Sequence, residues 1–435
     1  MTINAVKREI PDYIEGYGKV KHYQGAFAKK PEGNIAGAKL RCFNSDNTDK
    51  TVSSIKEAIK ASGLKSGMTI SFHHHLRNGD YVVNMVLDAC AEMGIKELTL
   101  FPTALFGVHK KVIDHIKSGV VTKIMGSVNG PIGQLVSEGG MQVPVVLRSH
   151  GGRPRAVMAG DVHIDVAFIG APTADKYGNI CGTLGKSACG SLGYAYTDAD
   201  YADKVVVITD NLVQYPLSPK ISIPQYLVDQ VVVVGSIGDP AKIATGAARI
   251  TRSPVDLRIA QDSFRLMKAA GIVEPGFSFQ MGVGGASLAA AVYLEEYMSD
   301  KQITGSFGLG GVGGYMASMH DKGMFRTVFD VQSFDAAVTK SMISNPSHIE
   351  IDASWYANPF NAGALVNNLD CVILAALEVD TDFNVNVLTG NDGVLRGASG
   401  GHQDTAAGAK LSIIVCPSFR GGVPSVKDRV TTITT

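Results

Sequence analysis

Apolar positions along the chain recur with two different periods, and the alternation between these periods predicts an α/β protein. From Val52 to Ile59 the apolar residues stand three and four positions apart, which is typical of an amphipathic helix over 51–61. The next run, "MTISF" at 68–72, is short and apolar, as expected for a buried strand. A second helix is predicted over 82–93, and a second strand in "IKELTLF".

The same order of elements returns in the second half of the chain. A predicted helix over 257–270 precedes "PGFSFQMGVGG", a helix through "SLAAAVYLEEYM" and a strand in "QITGSFG". The stretches "IDVAFIGAPTADKYGN" and "LDCVILAALEVDTDFN" also match each other. Their shared polar residues are offset by 205 positions: Asp165, Asp175 and Asn179 in the first stretch, and Asp370, Asp380 and Asn384 in the second. This pattern predicts a duplication.

The duplication divides the chain into two homologous domains, 1–238 and 239–435. The connection is "GDPAKIATGAARITRSPVD", in which Asp239 and Pro240 are typical of a helix start. The runs "KVVVIT" and "KLSIIV" predict a buried strand late in each domain. The frequent glycines after apolar runs suit strands whose connecting turns approach a ligand closely. Where two like domains face each other, the cleft between them is the expected ligand site.

Composition narrows the class of protein further. The 435 residues include 40 basic and 40 acidic side chains, so the basic excess of a nucleic-acid-binding protein is absent. No run of about 18 apolar residues predicts a membrane span, and the charged N-terminus "MTINAVKREIPDYIEG" does not suit a secretory signal. The six cysteines are dispersed without a CxxC pair, which favours a reducing cytoplasm.

The first candidate site is "FHHHLRNGD", at the end of the predicted strand 68–72. Residues alternate along a strand, so His73 and His75 share one face while His74 points to the other. Three interpretations are open: a metal site, a structural strand end, or a loop that faces a ligand. The ligand-facing loop is favoured because Arg77 and Asn78 follow at once, and an arginine offers a fork for a carboxylate.

The matching loop of the second half, "QMGVGGAS", is rich in glycine, so it offers backbone groups to a ligand and few side chains. Consecutive glycine N–H groups at a helix start form a pocket for an anion or a developing oxyanion. We therefore assign Gly282, Gly284 and Gly285 to the binding of a cofactor-like group. The two matching loops have diverged, and that divergence indicates different partners in one cleft.

A third glycine loop, "SFGLGGVGG", fits a dinucleotide-binding fingerprint. Gly308, Gly310 and Gly313 form GxGxxG, and Asp330 stands 22 positions after Gly308. Two features oppose this interpretation: the following helix is short, and the fingerprint falls in the middle of a domain instead of opening one. A nicotinamide-dependent enzyme is nevertheless kept as an alternative.

Two more loops combine glycine with arginine. "GVLRGASGGHQDTAAGA" and "SHGGRPRA" carry groups suited to carboxylates. Together with the Arg77 loop they favour a small polyanion such as a di- or tricarboxylate. The sequence contains no GxSxG, P-loop or CxxC nucleophile motif.

From "GMTISFHH" to its end, the chain closely resembles the alpha subunits of citrate lyase. The motifs that carry the resemblance are "HGGR", "IDVAFIGAP", "SFGLGG", "QSFD", "DFNVNVLTG" and "GVLRGASGGHQDTAAGA". More distantly, the halves look like the two domains of the CoA-transferase superfamily. The resemblance implies a mostly parallel sheet flanked by helices in each half, with the active site in the cleft between them. It also implies a chain that continues past "VTTITT", so two alternatives are open: a truncated second domain or a naturally short member of the family.

The implied reaction exchanges acyl groups. An acetyl thioester on a small acyl carrier (gamma) subunit plus citrate gives a citryl thioester plus acetate, and a beta subunit then cleaves the citryl group. No tightly bound cofactor or metal is expected on this chain, because the carrier supplies a CoA-like phosphopantetheine group that CoA can replace. The implied assembly contains several subunits and is a homo-oligomer of this chain.

Many superfamily members use a glutamate nucleophile in an SENG-like turn, but the corresponding Ser306-Phe307-Gly308 has no carboxylate. The resemblance therefore implies direct attack by citrate through a mixed anhydride, which needs proximity and oxyanion donors but no protein nucleophile. The expected oxyanion residues are Phe72, His73, His74, Phe307, Gly308 and Gly310. The expected substrate residues are His75, Arg77, Asn78, His150, Arg153, Ser306, Arg396, Gly397, Gly400, Gly401, His402 and Asp404. Alternatives are a citramalate or other dicarboxylate transferase, and a scaffold subunit without chemistry.

Overall fold

Two parallel β-sheets organise the chain, one in each half. The computed structural model describes residues 2–4, 7–22, 37, 49–244, 251–282 and 284–431, so Cys42 lies outside the described residues. The strands of the first sheet are β1 (Thr51–Val52), β2 (Thr69–Phe72), β3 (Leu98–Pro102), β4 (Val121–Ile124), β5 (Val166–Ala171), β6 (Lys204–Thr209) and β7 (Gln230–Val233). Those of the second are β8 (Phe279–Met281), β9 (Gly305–Val312), β10 (Phe325–Ser333), β11 (His348–Glu350), β12 (Cys371–Ala375) and β13 (Leu411–Val415).

The two sheets share one strand order. The first runs β4-β3-β2-β5-β6-β7-β1 and the second runs β11-β10-β9-β8-β12-β13, with parallel neighbours throughout. Hence β4-β3-β2-β5-β6 corresponds to β10-β9-β8-β12-β13. Each half adds a small three-stranded sheet, formed by Thr173–Asp175, Ile180–Cys181 and Leu212–Val213 in the first, and by Glu378–Asp380, Val385–Asn386 and Val426–Lys427 in the second.

The 205-residue repeat forms equivalent hydrogen bonds in the two halves. Asp165 Oδ2 accepts from the N–H that opens β2 (2.7 Å), and Asp370 Oδ2 accepts from Ser278 N–H just before β8 (2.8 Å). Asp175 and Asp380 each accept from the N–H and side-chain amide of the asparagine four residues later. The predicted duplication is therefore confirmed. The residues that repeat at this spacing form hydrogen bonds in turns and at strand ends.

Helices cover the sheets. They are α1 (Ile55–Ser62), α2 (Val82–Glu92), α3 (Val112–Lys117), α4 (Gly130–Ser137), α5 (Gly152–Met158), α6 (Gly193–Tyr201), α7 (Pro240–Ile243), α8 (Pro254–Ala269), α9 (Gly285–Lys301), α10 (Gly314–Asp321), α11 (Ala336–Ser344), α12 (Ala353–Ala357) and α13 (His402–Gly408). Those predicted from apolar periodicity correspond to α1, α2, α8 and α9. Short 3₁₀ segments span His74–Gly79, Gly107–His109, Gln225–Leu227 and Leu365–Asn368. The remaining strands are Thr2–Ile3 with Glu9–Ile10, Tyr13–Ile14 with Gly18–Lys19, Ala104–Leu105 with Ser127–Val128, and Phe419–Arg420 with Val423–Pro424.

Two predicted boundaries differ from the structure for local reasons. The first helix starts at Ile55 instead of position 51, because the Ser54 hydroxyl accepts from Glu57 N–H and fixes the helix start. The strand predicted over 302–308 instead begins at Gly305 and continues through the glycines to Val312, because both neighbouring strands pair with it.

The apolar core has one large cluster around each sheet and a third cluster where the halves meet. The third cluster joins Tyr194 of α6 to Leu309, Val331 and Tyr356 of the second half. Helix α7 packs on the first half, where Asp239 N–H donates to Gly79 O (2.8 Å). The domain boundary at 238/239 stays a prediction. In the part of the chain that is described, no helix is long and apolar enough to cross a membrane.

Candidate active site

The candidate site lies at the carboxyl ends of β2 and its neighbours, where the two halves meet. His74 follows β2 and connects the halves. Its N–H donates to Thr103 Oγ1 (2.8 Å), and the Thr103 hydroxyl donates back to His74 Nδ1 (2.5 Å). His74 Nε2–H then donates to Gln332 Oε1 (3.0 Å) on β10 of the second half. Burial, with His150 nearby, holds the pKa of His74 well below its usual value. His74 is therefore neutral and fully hydrogen-bonded.

Aromatic rings stack around His74. The Tyr194 ring lies 4.7 Å from the His74 ring, and the His150 ring lies 5.4 Å away on the "HGGR" stretch. His150 and Tyr194 are also in contact, at 4.5 Å between ring centroids. Burial and the nearby Arg153 lower the pKa of His150 to about 4. The structure thus brings together His74 and His150, both predicted, with Tyr194 and Gln332, which sequence analysis did not single out individually.

His73 belongs to a buried charge network beneath the loop. Its Nε2 lies 2.8 Å from Asp198 Oδ2, and Arg153 donates two hydrogen bonds of 2.6 Å to the same carboxylate. Burial alone would raise the pKa of Asp198, but Arg153 and His73 hold it below its usual value. Because all three side chains are buried and paired, the predicted substrate role of Arg153 does not fit this geometry.

The side chains of two further residues predicted from the first loop serve packing and structure in this geometry, and the predicted role of the Phe72 backbone stays a prediction. The Phe72 ring is buried and stacks on Phe168, with 5.8 Å between centroids. His75 Nε2 bonds to Gly170 O (2.7 Å), and burial next to His73 lowers its pKa to about 4. Neither side chain is placed to reach a substrate, and Asn78 is exposed.

Arg77 is the cationic group that the first loop presents to the second half. Its guanidinium lies over the Phe334 ring, 4.6 Å from the centroid. Nη1 is buried without a hydrogen-bond partner among the described residues, and burial lowers the pKa of the side chain while the nearby Asp335 opposes that shift. The backbone of Arg77 has φ 53° and ψ −134°, an uncommon conformation for a residue with a side chain. Strain of this kind collects at functional sites.

The first half also contacts the loop before α13. His150 N–H donates to Gly400 O (2.9 Å), and Ser399 Oγ donates to Arg148 O (3.1 Å). The Asp404 carboxylate accepts from Ser149 Oγ (2.7 Å) and Gly151 N–H (2.8 Å). Burial raises the pKa of Asp404 to about 6 despite these two bonds.

Other residues predicted from the same loop take different positions. Arg396 is 55% exposed and pairs with Asp392, so its predicted citrate contact is not formed in this geometry. Gly397 packs on the Val387 carbonyl, which leaves no room for a side chain. A Cβ at Gly401 would lie 2.5 Å from Tyr356 Oη, so this glycine permits its loop to approach the Tyr356 side chain closely. Burial lowers the pKa of His402 to about 4.

The glycine loop of the second half opens α9. Gly284 is the N-terminal cap residue, and no described side chain caps this helix. The neighbouring helix α10 differs, because Gly314 N–H donates to Asp335 Oδ2 (2.7 Å). The start of α9 is therefore the helix start of this pair that lacks a side-chain acceptor among the described residues, an arrangement that suits an anion. Gly282 continues the sheet pairing by donating to Ile373 O (3.2 Å).

Residues 306–310 do not form the predicted loop. Ser306 and Phe307 lie at the amino end of β9, away from the carboxyl ends where the site forms, and Ser306 donates to Phe277 O. Phe307 packs edge-to-face on Phe329, with 5.6 Å between centroids. Gly308 and Gly310 lie within the ladder, and a Cβ at Gly310 would meet the Gln280 side chain. The predicted oxyanion role of Phe307, Gly308 and Gly310, and the predicted substrate role of Ser306, do not fit this geometry.

The dinucleotide fingerprint also does not form. Gly308 and Gly310 belong to a strand instead of a strand-to-helix turn. Asp330 is fully buried and accepts from Ser333 Oγ (2.6 Å), so its carboxylate cannot reach a ribose. Within the described residues, one group has metal-ligand geometry, His163 with Asp165 and Asp203. It lies at the amino ends of β5 and β6, opposite the candidate site.

Two parallel-sheet domains of one strand order, with a polar loop and a glycine loop at their meeting edge, define a protein of the CoA-transferase fold class. At the level of fold alone, the chain is similar to a Pseudomonas malonate decarboxylase hetero-tetramer crystallised with malonate (TM-score 0.68, 18% identity, 88% of this chain and 74% of that one). Residues 48–435 match the family model described as citrate lyase, alpha subunit (CitF). The chain belongs to this family.

Individual relatives agree with that assignment. The chain is 52% identical over 387 residues to the citrate lyase alpha chain of Haemophilus influenzae, covering 89% of this chain and 77% of the relative. It is 48% identical over 411 residues to that of Escherichia coli, covering 94% and 79%. A solved alpha subunit of citrate lyase from Streptococcus mutans, in complex with citrate, superposes with a TM-score of 0.92 at 48% identity, over 99% of this chain and 84% of that one. The predicted family, fold class and enzyme class are confirmed.

Proposed function

We propose that this chain moves the thiol of an acyl carrier from an acetyl group to a citryl group. An acetyl thioester and citrate then give a citryl thioester and acetate. The single observation that carries the proposal is Arg77, a half-buried guanidinium at the seam with no hydrogen-bond or ion-pair partner among the described residues. A desolvated arginine whose guanidinium makes no direct ion pair in the described part of the chain, with Asp335 acting on it only from nearby, favours a carboxylate, which it can hold by two parallel hydrogen bonds. The citrate in the complex of the Streptococcus mutans relative supports the same ligand.

The start of α9 forms the other side of the proposed site, and its backbone suits the thioester-bearing group. The N–H groups that open α9, around Gly284 and Gly285, carry partial positive charge and face no capping side chain within the described residues. They would hold a phosphate or carbonyl oxygen of the CoA-like group that the carrier subunit supplies. That group brings the thioester; this chain supplies binding and orientation. The carrier and beta subunits, a homo-oligomeric state and a cytoplasmic location stay predictions.

The proposed chemistry balances without a protein nucleophile. A citrate carboxylate oxygen attacks the thioester carbonyl carbon, the thiolate leaves, and a citryl-acetyl anhydride forms. The thiolate then attacks the citryl carbonyl carbon, and acetate leaves. Both ring nitrogens of His74 are hydrogen-bonded, to Thr103 and to Gln332. His74 therefore connects the two halves at the site and does not act as the base. Holding the two reactants together can supply about 7–11 kcal/mol of the barrier.

Mass spectrometry of thioesters tests the proposal directly. The purified chain is mixed with acetyl-CoA, as a substitute for the loaded carrier, and with citrate labelled in its carbons. We expect labelled citryl-CoA and free acetate in equal amounts. A parallel reaction with citramalate tests the alternative dicarboxylate substrate. Absence of any acyl exchange with both CoA and the loaded carrier protein would refute the transferase function.

A further inference from the structure

Two loops from opposite halves of the chain are tied together beside the aromatic cluster. Four hydrogen bonds join the segment 148–151 to the segment 399–404: two use the Asp404 carboxylate, one uses Gly400 O, and one uses Ser399 Oγ. We call this set of bonds the seam bridge. His150 lies in the middle of the first segment, with its ring against His74 and Tyr194.

The seam bridge requires close approach of the backbones. A Cβ on Gly151 would lie 1.9 Å from Ala357 O of α12, so only glycine lets the first segment reach this position. A Cβ on Gly152 would lie 2.9 Å from Ser149 Oγ, which in turn accepts from Gly152 N–H (2.9 Å). Both glycines of "HGGR" therefore permit the close approach on which the seam bridge depends.

Both oxygens of Asp404 are engaged by the seam bridge. Oδ1 accepts from a hydroxyl and Oδ2 from a backbone N–H, and no salt bridge to Asp404 forms among the described residues. The ionisable groups that face it are Tyr194 and Tyr356, whose pKa values are raised chiefly by burial. A carboxylate in this position would also repel the carboxylates of citrate.

We propose that Asp404 is a positioning residue, which holds the 149–151 segment and through it places the His150 ring against His74, instead of binding citrate as its sequence context predicts. The inference rests on the proposed transferase function for its kinetic consequences. The geometry of the bridge is independent of that function.

Two substitutions of Asp404 separate positioning from charge. In Asp404→Asn the amide oxygen can accept from Gly151 N–H, and the amide nitrogen can donate to the second lone pair of Ser149 Oγ. Asp404→Ala removes both bonds. We expect Asp404→Ala to lower kcat about ten-fold, the scale of one or two lost hydrogen bonds, with the citrate KM changed less than about two-fold. Asp404→Asn should retain most of the activity, and the exposed Asp382→Asn is the matched control.

A double-mutant cycle with His150→Ala identifies the route of the effect. If Asp404 acts through His150, the kcat losses of Asp404→Ala and His150→Ala will not add, whereas a general structural defect would add to the loss of the ring. Equal losses in Asp404→Ala and Asp404→Asn, or a large rise in the citrate KM, would overturn the proposal in favour of a charge or substrate role.

Hydrogen exchange of the 149–152 amides tests the bridge without any activity. We expect faster exchange in Asp404→Ala and unchanged exchange in Asp404→Asn and Asp382→Asn. Unchanged exchange in Asp404→Ala would overturn the bridge itself. If exchange behaves as expected while no variant and no wild-type protein transfers acyl groups, the bridge stands and the proposed function fails.

Discussion

The loops that follow β2 and β8 occupy the same place in two sheets of the same strand order, yet they are built in opposite ways. The first half presents Arg77 and Asn78 on a loop that the buried pair of His73 and Asp198 fixes from below. The second half presents glycine backbone at the start of α9, with no side-chain cap among the described residues. The duplication thus gives the candidate site a first wall built of side chains and a second wall built of backbone, and in the proposed function these walls bind citrate and the CoA-like group.

The largest expected effect comes from breaking the support of the first wall. Asp198→Ala leaves Arg153 buried without its counter-ion, and removing one partner of a buried ion pair typically costs about 3–5 kcal/mol. We expect the free energy of unfolding to fall by that amount in a denaturant titration. Asp382→Ala, on the exposed surface of the second half, should change it by less than about 0.5 kcal/mol. A loss below about 1 kcal/mol at Asp198 would show that the network does not anchor the histidine loop.

The next effect concerns the charge that the first wall presents. Arg77→Ala removes a guanidinium proposed to hold a citrate carboxylate, and hydrogen bonds to charged groups contribute about 1.5–3 kcal/mol. We therefore expect kcat/KM for citrate to fall by roughly 10–150-fold, with little change for acetyl-CoA. Arg396→Ala is the matched control, because this arginine is exposed and pairs with Asp392. A larger loss at Arg396 than at Arg77 would reverse the assignment of the citrate wall.

The second wall should respond in the opposite manner, through added bulk. A Cβ at Gly284 meets no atom within 4 Å, so Gly284→Ala should leave the thermal unfolding temperature unchanged. A ligand that approaches the first turn of α9 would be displaced by that methyl group. We expect the KM for acetyl-CoA to rise about ten-fold, or roughly 1.4 kcal/mol, with the citrate KM unchanged. An unaltered KM for acetyl-CoA would place the CoA-like group elsewhere.

The sequence predicts the fold better than the site because the two depend on different ranges along the chain. Helices, strands and the duplication follow from local periodicity and from a spacing that repeats at 205 positions. The roles of His73 and His74 depend on partners 125 and 258 positions away, Asp198 and Gln332, and no local pattern contains that pairing. Arg77 was identifiable because the signal was local: a cation directly after a strand that ends in a polar turn.

The errors around β9 have the same origin. "SFGLGGVGG" has the glycine content of a ligand loop, but residues 307–310 pair with β10, and Gly308 also pairs with β8 on the other side. Glycine there serves close packing, since a Cβ at Gly308 would lie 2.6 Å from Met316 Sδ. Only Gly313, which caps α10, lies in a turn. Local composition cannot separate a loop glycine from a packing glycine, because the packing partner lies in another element.

The last prediction concerns the seam bridge, through the pH dependence of stability. Burial raises the pKa of Asp404 from its ordinary 3.8 to about 6 in the folded chain, so between these pH values the folded state holds a proton that the unfolded state has released. Ionising Asp404 at higher pH therefore costs stability, at most about 3 kcal/mol for two pKa units and less because the carboxyl is partly exposed. Asp404→Asn should raise the unfolding temperature at pH 8, with a gain that shrinks as the pH falls through 6 and is absent near pH 4. Asp382→Asn should show no such dependence. If Asp404→Asn instead destabilised the chain at pH 8, the charge of the carboxylate would stabilise the seam bridge by more than its burial costs. The bridge would then be held by electrostatics instead of by hydrogen bonds that an amide can replace.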